Sequence, residues 1–195
     1  MIERRSLILS ALAAFAAGPG HARRRPYALV QGAADIRYRF DLSGQEVVGT
    51  APVLRADLQI NPRDLKASTA EVSADLRRVR AGLFIVTETL KGETILDVAR
   101  YPEARFVSTA VRLGPQGRLS DGAALEGLLT LRGVTLPVRF DAGLYRMPGT
   151  APDDLRELSV RLQGAISRSA FGASGYPTLV ADQVKIDISA QIQAV

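Results

Sequence analysis

With 195 residues the chain is long enough for one domain with a sizeable core. It has no Cys and a single His, His21, so beyond that position there can be no disulfide, thiolate metal site, Ser–His or Cys–His nucleophile pair, His-ligated zinc or His-ligated haem. The net charge of +5 comes mainly from scattered arginines, with lysine only at Lys66, Lys91 and Lys185, and Trp is absent; a nucleic-acid groove, which needs clustered charge beside stacking rings, does not fit this pattern.

In chain order, the first element is not part of the fold. Arg4 and Arg5 precede an apolar run from Ser6 to Gly18, and Gly20-His21-Ala22 offers a small-x-small cleavage site. Residues 1–22 therefore read as an export signal, too short in its apolar part for a permanent membrane anchor. The pair Arg4-Arg5 before Ser-Leu-Ile, with Arg23-Arg24-Arg25 after the run, is compatible with twin-arginine export as well as with the general route. Both routes lead to a bacterial periplasm or beyond. Without residues 1–22 the chain keeps 23 basic and 19 acidic residues, a net charge of +4. That excess suits at most a transient attraction to anionic head groups at a membrane surface.

Residues 23–195 then read as one domain of alternating segments. Ile36, Tyr38 and Phe40 alternate with Asp35, Arg37 and Arg39. Leu54 to Ile60, Ala70 to Leu76 and a strand opening at Phe106 follow with the same period of two. Between Ile60 and Ala70 stands the turn signal Asn61-Pro62. From Glu93 to Arg100 the period changes. Ile95, Leu96, Val98 and Ala99 suit one or two helical turns, stopped by Tyr101-Pro102, so one short helix is expected near residues 88–100. Leu125, Gly127, Leu129 and Leu131 face one way, and beyond an Arg132-Gly133 turn Leu136, Val138 and Phe140 do the same. Val160 to Ile166 and Val184 to Ile192 complete about eight strands.

Eight antiparallel strands with one apolar face form either two packed sheets or a closed barrel, and closure removes the exposed edges. An eight-stranded barrel is wide enough to be filled by side chains or to hold one small ligand. The small inward residues Ala56, Ala70, Ala74, Gly127, Gly164 and Ala190 leave room for a ligand, or merely fit the taper of a packed barrel. Asp35, Asp57, Glu71, Asp75, Glu126 and Asp187 all fall on the outward row, which leaves an acid-and-arginine catalyst without an inward carboxylate.

Four segments carry a resemblance. Leu96-Asp97-Val98-Ala99-Arg100-Tyr101-Pro102-Glu103-Ala104-Arg105-Phe106, the hairpin Gly127 to Val138, the corner Arg168-Ser169-Ala170-Phe171-Gly172 and the last strand Asp182 to Ile188 are similar, in this order, to motifs of the YceI-like family. Tyr27 is kept, but Val30, Ala33 and Ala34 stand where the family often has Asp and a His-Ser pair, and Thr87-Glu88-Thr89-Leu90 stands for Asp-x-His-Leu. The departures remove His-dependent head-group contacts and leave the apolar barrel intact.

The resemblance implies an all-β, eight-stranded antiparallel lipocalin-like barrel that binds a polyisoprenoid or similar lipid in the periplasm. It implies no enzymatic activity, cofactor, metal or nucleic-acid partner, and leaves a monomer or homodimer open. Candidate ligand contacts are Ile36, Tyr38 and Phe40 on the first strand, Phe106 on the fourth, and Leu129, Leu131, Val138 and Phe140 on the hairpin. Leu162 and Ile166, Phe171 at the corner, and Ile186 and Ile188 complete the set. A ligand-free interaction module with a packed barrel is the competing reading, and a cofactor-free enzyme in the same barrel a third. Arg168 is expected to tie down its corner rather than grip a ligand.

Overall fold

A computed structural model describes residues 24–115, 122–151 and 153–195. The expected export signal lies outside the described residues. Ten strands are present: β1 (Arg25–Leu42), β2 (Gln45–Ala51), β3 (Val53–Ile60), β4 (Thr69–Asp75), β5 (Arg80–Ala81), β6 (Glu103–Arg112), β7 (Ala123–Leu131), β8 (Val134–Arg146), β9 (Glu157–Ser167) and β10 (Gln183–Ala194). Among the described residues one α-helix, α1, spans Phe84–Lys91.

The sheet runs β10-β9-β8-β7-β6-β4-β3-β1 and closes through β10–β1 pairing. All pairings are antiparallel. β2 and β3 are two halves of one barrel strand interrupted at Pro52, which has no N–H for the ladder. β2 pairs with the second half of β1, from Ile36↔Ala51 to Leu42↔Gln45, and β3 pairs with its start, from Arg25↔Ile60 to Tyr27↔Leu58. The barrel is thus eight-stranded, as the periodicity predicts. Alternation does not mark β2, because Val47 and Val48 are adjacent and Gly49 carries no side chain.

Bulges bend the sheet into closure. In β1 the register against β10 shifts between Leu29 and Ala34, around Gly32 at φ 74°. The shift exchanges the inward parity, so Tyr27 is buried at the start of the strand and Ile36, Tyr38 and Phe40 point inward further on. A second shift between Ser108 and Ala110 turns Phe106 and Val111, of opposite parity, to the same interior. The β7–β8 turn has Arg132 at φ 52° and Gly133 at φ 77°, the two positive values that match a two-residue turn to strand twist.

The helix differs from expectation. It lies at Phe84–Lys91 and overlaps only the start of the predicted window, because Gly92 stops it. Residues 93–100 form hydrogen-bonded turns instead, with Asp97 at φ 49° and its N–H donating to Gly92 O. The apolar residues read there as helical, Ile95 and Leu96, are buried from these turns.

The core has two parts. At one end Leu129, Leu131, Leu76, Val79, Ile95, Leu96 and Phe171 cluster under the segments that follow β4 and β9. At the other end Tyr27, Leu58, Leu158 and Ile192 pack together, and the Tyr27 hydroxyl donates to Leu155 O at 2.6 Å. Between the ends, some small inward residues are slots for rings. A Cβ on Gly127 would meet the Phe106 ring at 2.4 Å, one on Gly164 the Phe140 ring at 2.7 Å, and one on Gly49 the Tyr38 ring at 2.1 Å. Phe106 and Phe140 meet edge to face with centroids 5.6 Å apart. Of the two readings open for the small inward residues, Gly127 and Gly164 thus follow the packed one, and Ala70, Ala74 and Ala190 face the open interior.

Gly127→Ala should lower stability by about 1–3 kcal/mol, because the Phe106 ring and the Val107 carbonyl leave no room for a methyl. Gly82→Ala, where nothing lies within 4 Å, is the control. Thermal melts of the two variants should differ by several degrees, with Gly127→Ala the lower.

Candidate functional site

The interior between the two packed ends is a cavity of about 520 Å³, within the usual range for small-molecule sites. Every barrel strand contributes apolar side chains to its wall. Of the candidate contacts, Ile36, Tyr38 and Phe40 line it from β1, Phe106 from β6, Leu129 and Leu131 from β7, and Phe140 from β8. Leu162 and Ile166 line it from β9, and Ile186 and Ile188 from β10.

Two candidates do not line it. Val138 is on the inward row but packs into the upper core cluster, at the barrel end that carries α1. Phe171 is 2% exposed and fills the core beneath the β9–β10 corner, so it anchors that corner rather than gating a mouth.

The structure adds lining residues that strand periodicity did not single out. Ile85, Val86 and Leu90 come from α1, and Tyr176, Leu179 and Val180 from the β9–β10 connection. The one signal for the first group was the unbroken apolar run Leu83-Phe84-Ile85-Val86. The second lies in a turn-rich loop with no pattern to read. Ile85, Tyr176 and Leu179 line the cavity and also reach solvent, being 69%, 48% and 50% exposed, so the mouth lies at this end of the barrel, between α1 and the loop.

Polar groups in the wall are few: Ser68, Thr69, Thr89, the hydroxyls of Tyr38 and Tyr176, and Arg168. The Tyr38 hydroxyl donates to Arg80 O at 2.5 Å, and burial pushes its pKa upward, so it stays a neutral phenol. No Asp or Glu lines the cavity among the described residues. Asp75 keeps its outward row but is buried there. Its outward-row side chain is covered at the end of β4, where it accepts from the N–H and Nε of Arg77 at 3.0 Å, and that pairing lowers its pKa. It faces the turn after β4, away from the cavity.

Arg168 is 7% exposed and its donors go to the backbone. Nε donates to Ala181 O, Nη1 to Ala173 O and Gly175 O, and Nη2 to Val180 O, at 2.5–3.1 Å. One planar fork thus holds both limbs of the β9–β10 connection. Arg132 adds a second clamp from the β7–β8 turn, donating to Gly172 O and Glu93 O. Asp182 completes the corner. Hydrogen bonds from the Ser167 hydroxyl, then from the hydroxyl and amide of Ser169, hold its carboxyl at about 2.

The outer face carries cross-strand ion pairs: Arg55–Glu103, Arg105–Glu71, Arg39–Asp187, and Glu126 between Arg112 and Arg139. Five arginines of the strands are spent this way, each pair contributing little to stability on its own.

The model of the YceI-like domain matches residues 27–192. A UPF0312 protein of Pseudomonas putida (strain W619) is 35% identical over 96 residues, which is 49% of this chain and 47% of the relative; the match thus spans about half the relative's length. Among solved structures, Burkholderia cenocepacia BcnA aligns with a TM-score of 0.71 and 19% identity over 84% of this chain and 99% of that one. A polyisoprenoid binding domain from Saccharophagus degradans, implicated in plant cell wall breakdown, aligns with a TM-score of 0.59 and 12% identity over 88% and 99%.

Arg168→Ala should destabilise the fold by about 2–4 kcal/mol, since it strands several carbonyls at once; Arg168→Lys, with one compact ammonium, should recover little of it. Asp182 gives a pH signature. Its carboxyl lies below the ordinary 3.8, so its contribution is full above that value and is lost as pH falls towards 2. Denaturant midpoints of the wild type and Asp182→Asn should therefore differ at pH 7 and converge between about pH 4 and pH 2.

Proposed function

The chain belongs to the YceI-like family, and from that premise we propose that it binds a long apolar molecule, of the polyisoprenoid kind, inside the barrel and carries or sequesters it in a bacterial periplasm. The observation that carries this reading is the cavity of about 520 Å³ with an almost wholly apolar wall. Such a wall gives water few hydrogen-bonding partners and favours hydrocarbon. Each buried methylene contributes about 0.8 kcal/mol. About ten of them give roughly 8 kcal/mol before ordering costs, which sets micromolar affinity as the upper limit.

The wall is better suited to binding than to catalysis. It presents no carboxylate among the described residues, and its one cation, Arg168, is committed to four backbone carbonyl bonds. The polyisoprenoid binding domain with the same fold supports the ligand class by analogy. The proposed location rests on the export-signal reading of residues 1–22. Cell fractionation with N-terminal sequencing tests it, and a cytoplasmic product that keeps Met1 would overturn it.

The ligand proposal has a direct test. Ala190→Phe and Ala142→Phe place a ring into the cavity from β10 and β8. Both should weaken binding of a fluorescent prenyl probe at least tenfold, with thermal midpoints close to the wild type. Val138→Phe adds the same ring to packed core and should instead cost about 1–3 kcal/mol of stability. Leu128→Phe, on the outer face where Leu128 is 42% exposed, should change neither. A wild-type protein that does not bind the probe, with Ala190→Phe and Ala142→Phe both unfolding early, would overturn the proposal.

A further inference from the structure

The residues around the cavity mouth are apolar on the outside as well as on the inside. Leu83, Phe84 and Ile85 are 67%, 80% and 69% exposed, and across the opening Tyr176 and Leu179 are about half exposed. Val48, 46% exposed, sits on β2 where its carbonyl accepts from Gly82 N–H. Scattered exposed apolar residues need no explanation, but a contiguous group beside one opening does.

Leu83 and Phe84 belong neither to the core clusters nor to the cavity wall. The wall-lining apolar residues of α1 are Ile85, Val86 and Leu90, and Thr87 fastens the helix by exchanging hydrogen bonds with the N–H and carbonyl of Ala81 at 2.9 and 2.8 Å. Leu83 occupies the N-cap of α1 and makes no side-chain cap bond. A Ser or Asp there would satisfy a free helix N–H, so local helix chemistry disfavours the residue that is present.

The segment leading to the group is basic. Arg77, Arg78 and Arg80 are exposed; Arg77 is paired with Asp75, while Arg78 and Arg80 form no ion pair among the described residues. Glu88, the acid on α1, is balanced by Lys91 at 2.9 Å. Free cations thus stand within one to two turns of chain from three exposed apolar side chains. Apolar residues flanked by arginine are the composition that binds at an anionic lipid interface.

We propose that this end of the barrel docks on an anionic lipid bilayer, with Leu83 and Phe84 inserted among the acyl chains and Arg78 and Arg80 against the head groups. The inference rests on the reading of the cavity as a site for an apolar ligand. Such a ligand resides in membrane rather than in water, and docking at the mouth brings the cavity to the bilayer without a passage through solvent.

Vesicle flotation tests this, with phosphatidylglycerol and phosphatidylethanolamine in equal parts beside vesicles of phosphatidylcholine alone. The wild type should float with the anionic vesicles, less so in high salt. Leu83→Ser with Phe84→Ser, at positions outside the cavity wall, should reduce the bound fraction at least tenfold. The hydroxyl introduced at the N-cap by Leu83→Ser can cap α1, so the variant keeps its helix, which circular dichroism checks. Arg78→Gln with Arg80→Gln should abolish the preference for anionic vesicles and the salt dependence. All these variants should bind a fluorescent prenyl probe delivered in solution as the wild type does.

A wild type that floats with neither vesicle overturns the proposal. So does a wild type that sediments as a dimer, is dissociated by Leu83→Ser with Phe84→Ser, and does not bind vesicles, since the patch is then covered by a second copy. If flotation and its loss in the variants are seen but the probe never binds, the docking face stands and the cavity reading falls.

Discussion

The antiparallel ladder between β1 and β10, from Tyr27↔Ala194 to Arg39↔Lys185, joins the first described strand to the last and turns an open sheet into a barrel. Closure leaves no long apolar edge exposed and gives the inward side chains one shared interior. It also sets a diameter. An eight-stranded barrel is slightly too wide to be filled by small side chains and narrow enough for large ones to meet across it. The long β1 closes both edges at once because Gly32 lets it bulge, so the same strand serves β10 along one side and β3 then β2 along the other.

Within that diameter the rings and the glycines decide where matter stands. Phe106 lies over Gly127, Phe140 over Gly164 and Tyr38 over Gly49. Each ring takes the space that a Cβ on the neighbouring strand would need, which packs it flat to the wall and leaves the middle of the barrel clear. The end that holds Tyr27, Leu58, Leu158 and Ile192 is tightly packed. The other end is covered by irregular chain, where packing alone is a weaker constraint. There Arg168 and Arg132 fix the β9–β10 connection through backbone carbonyls. Buried arginine is costly to desolvate, and here its charge is spread over several polar acceptors. The result is a cover tied through its backbone, with an apolar opening beside α1.

How far the sequence alone reaches can be judged element by element. Period-two alternation from Ile36 to Phe40, from Leu125 to Phe140 and from Val184 to Ile192 is a direct imprint of burial on one face, so strand count and inward rows were legible, while the choice of a barrel over two packed sheets came from the family resemblance. The Arg132-Gly133 turn was legible because a glycine between two alternating runs has few other uses. The outward placement of the acids followed from the same parity; the burial of Asp75 did not, because the following turn folds over the strand end.

Other features were settled by tertiary structure because their causes lie far apart in the chain. That Gly127 and Gly164 are slots rather than voids depends on rings from neighbouring strands. That Val138 and Phe171 are core while Ala190 borders open space depends on what the connections at the barrel end press against. The position of α1 turned on Gly92 and on Thr87 reaching back to Ala81, and the mouth on two segments, Leu83–Val86 and Tyr176–Val180, separated by about ninety residues of chain. Alternation reports only which side of its own strand a residue faces. Whether the space on that side is filled is a property of all eight strands at once, and closure of the barrel decides it.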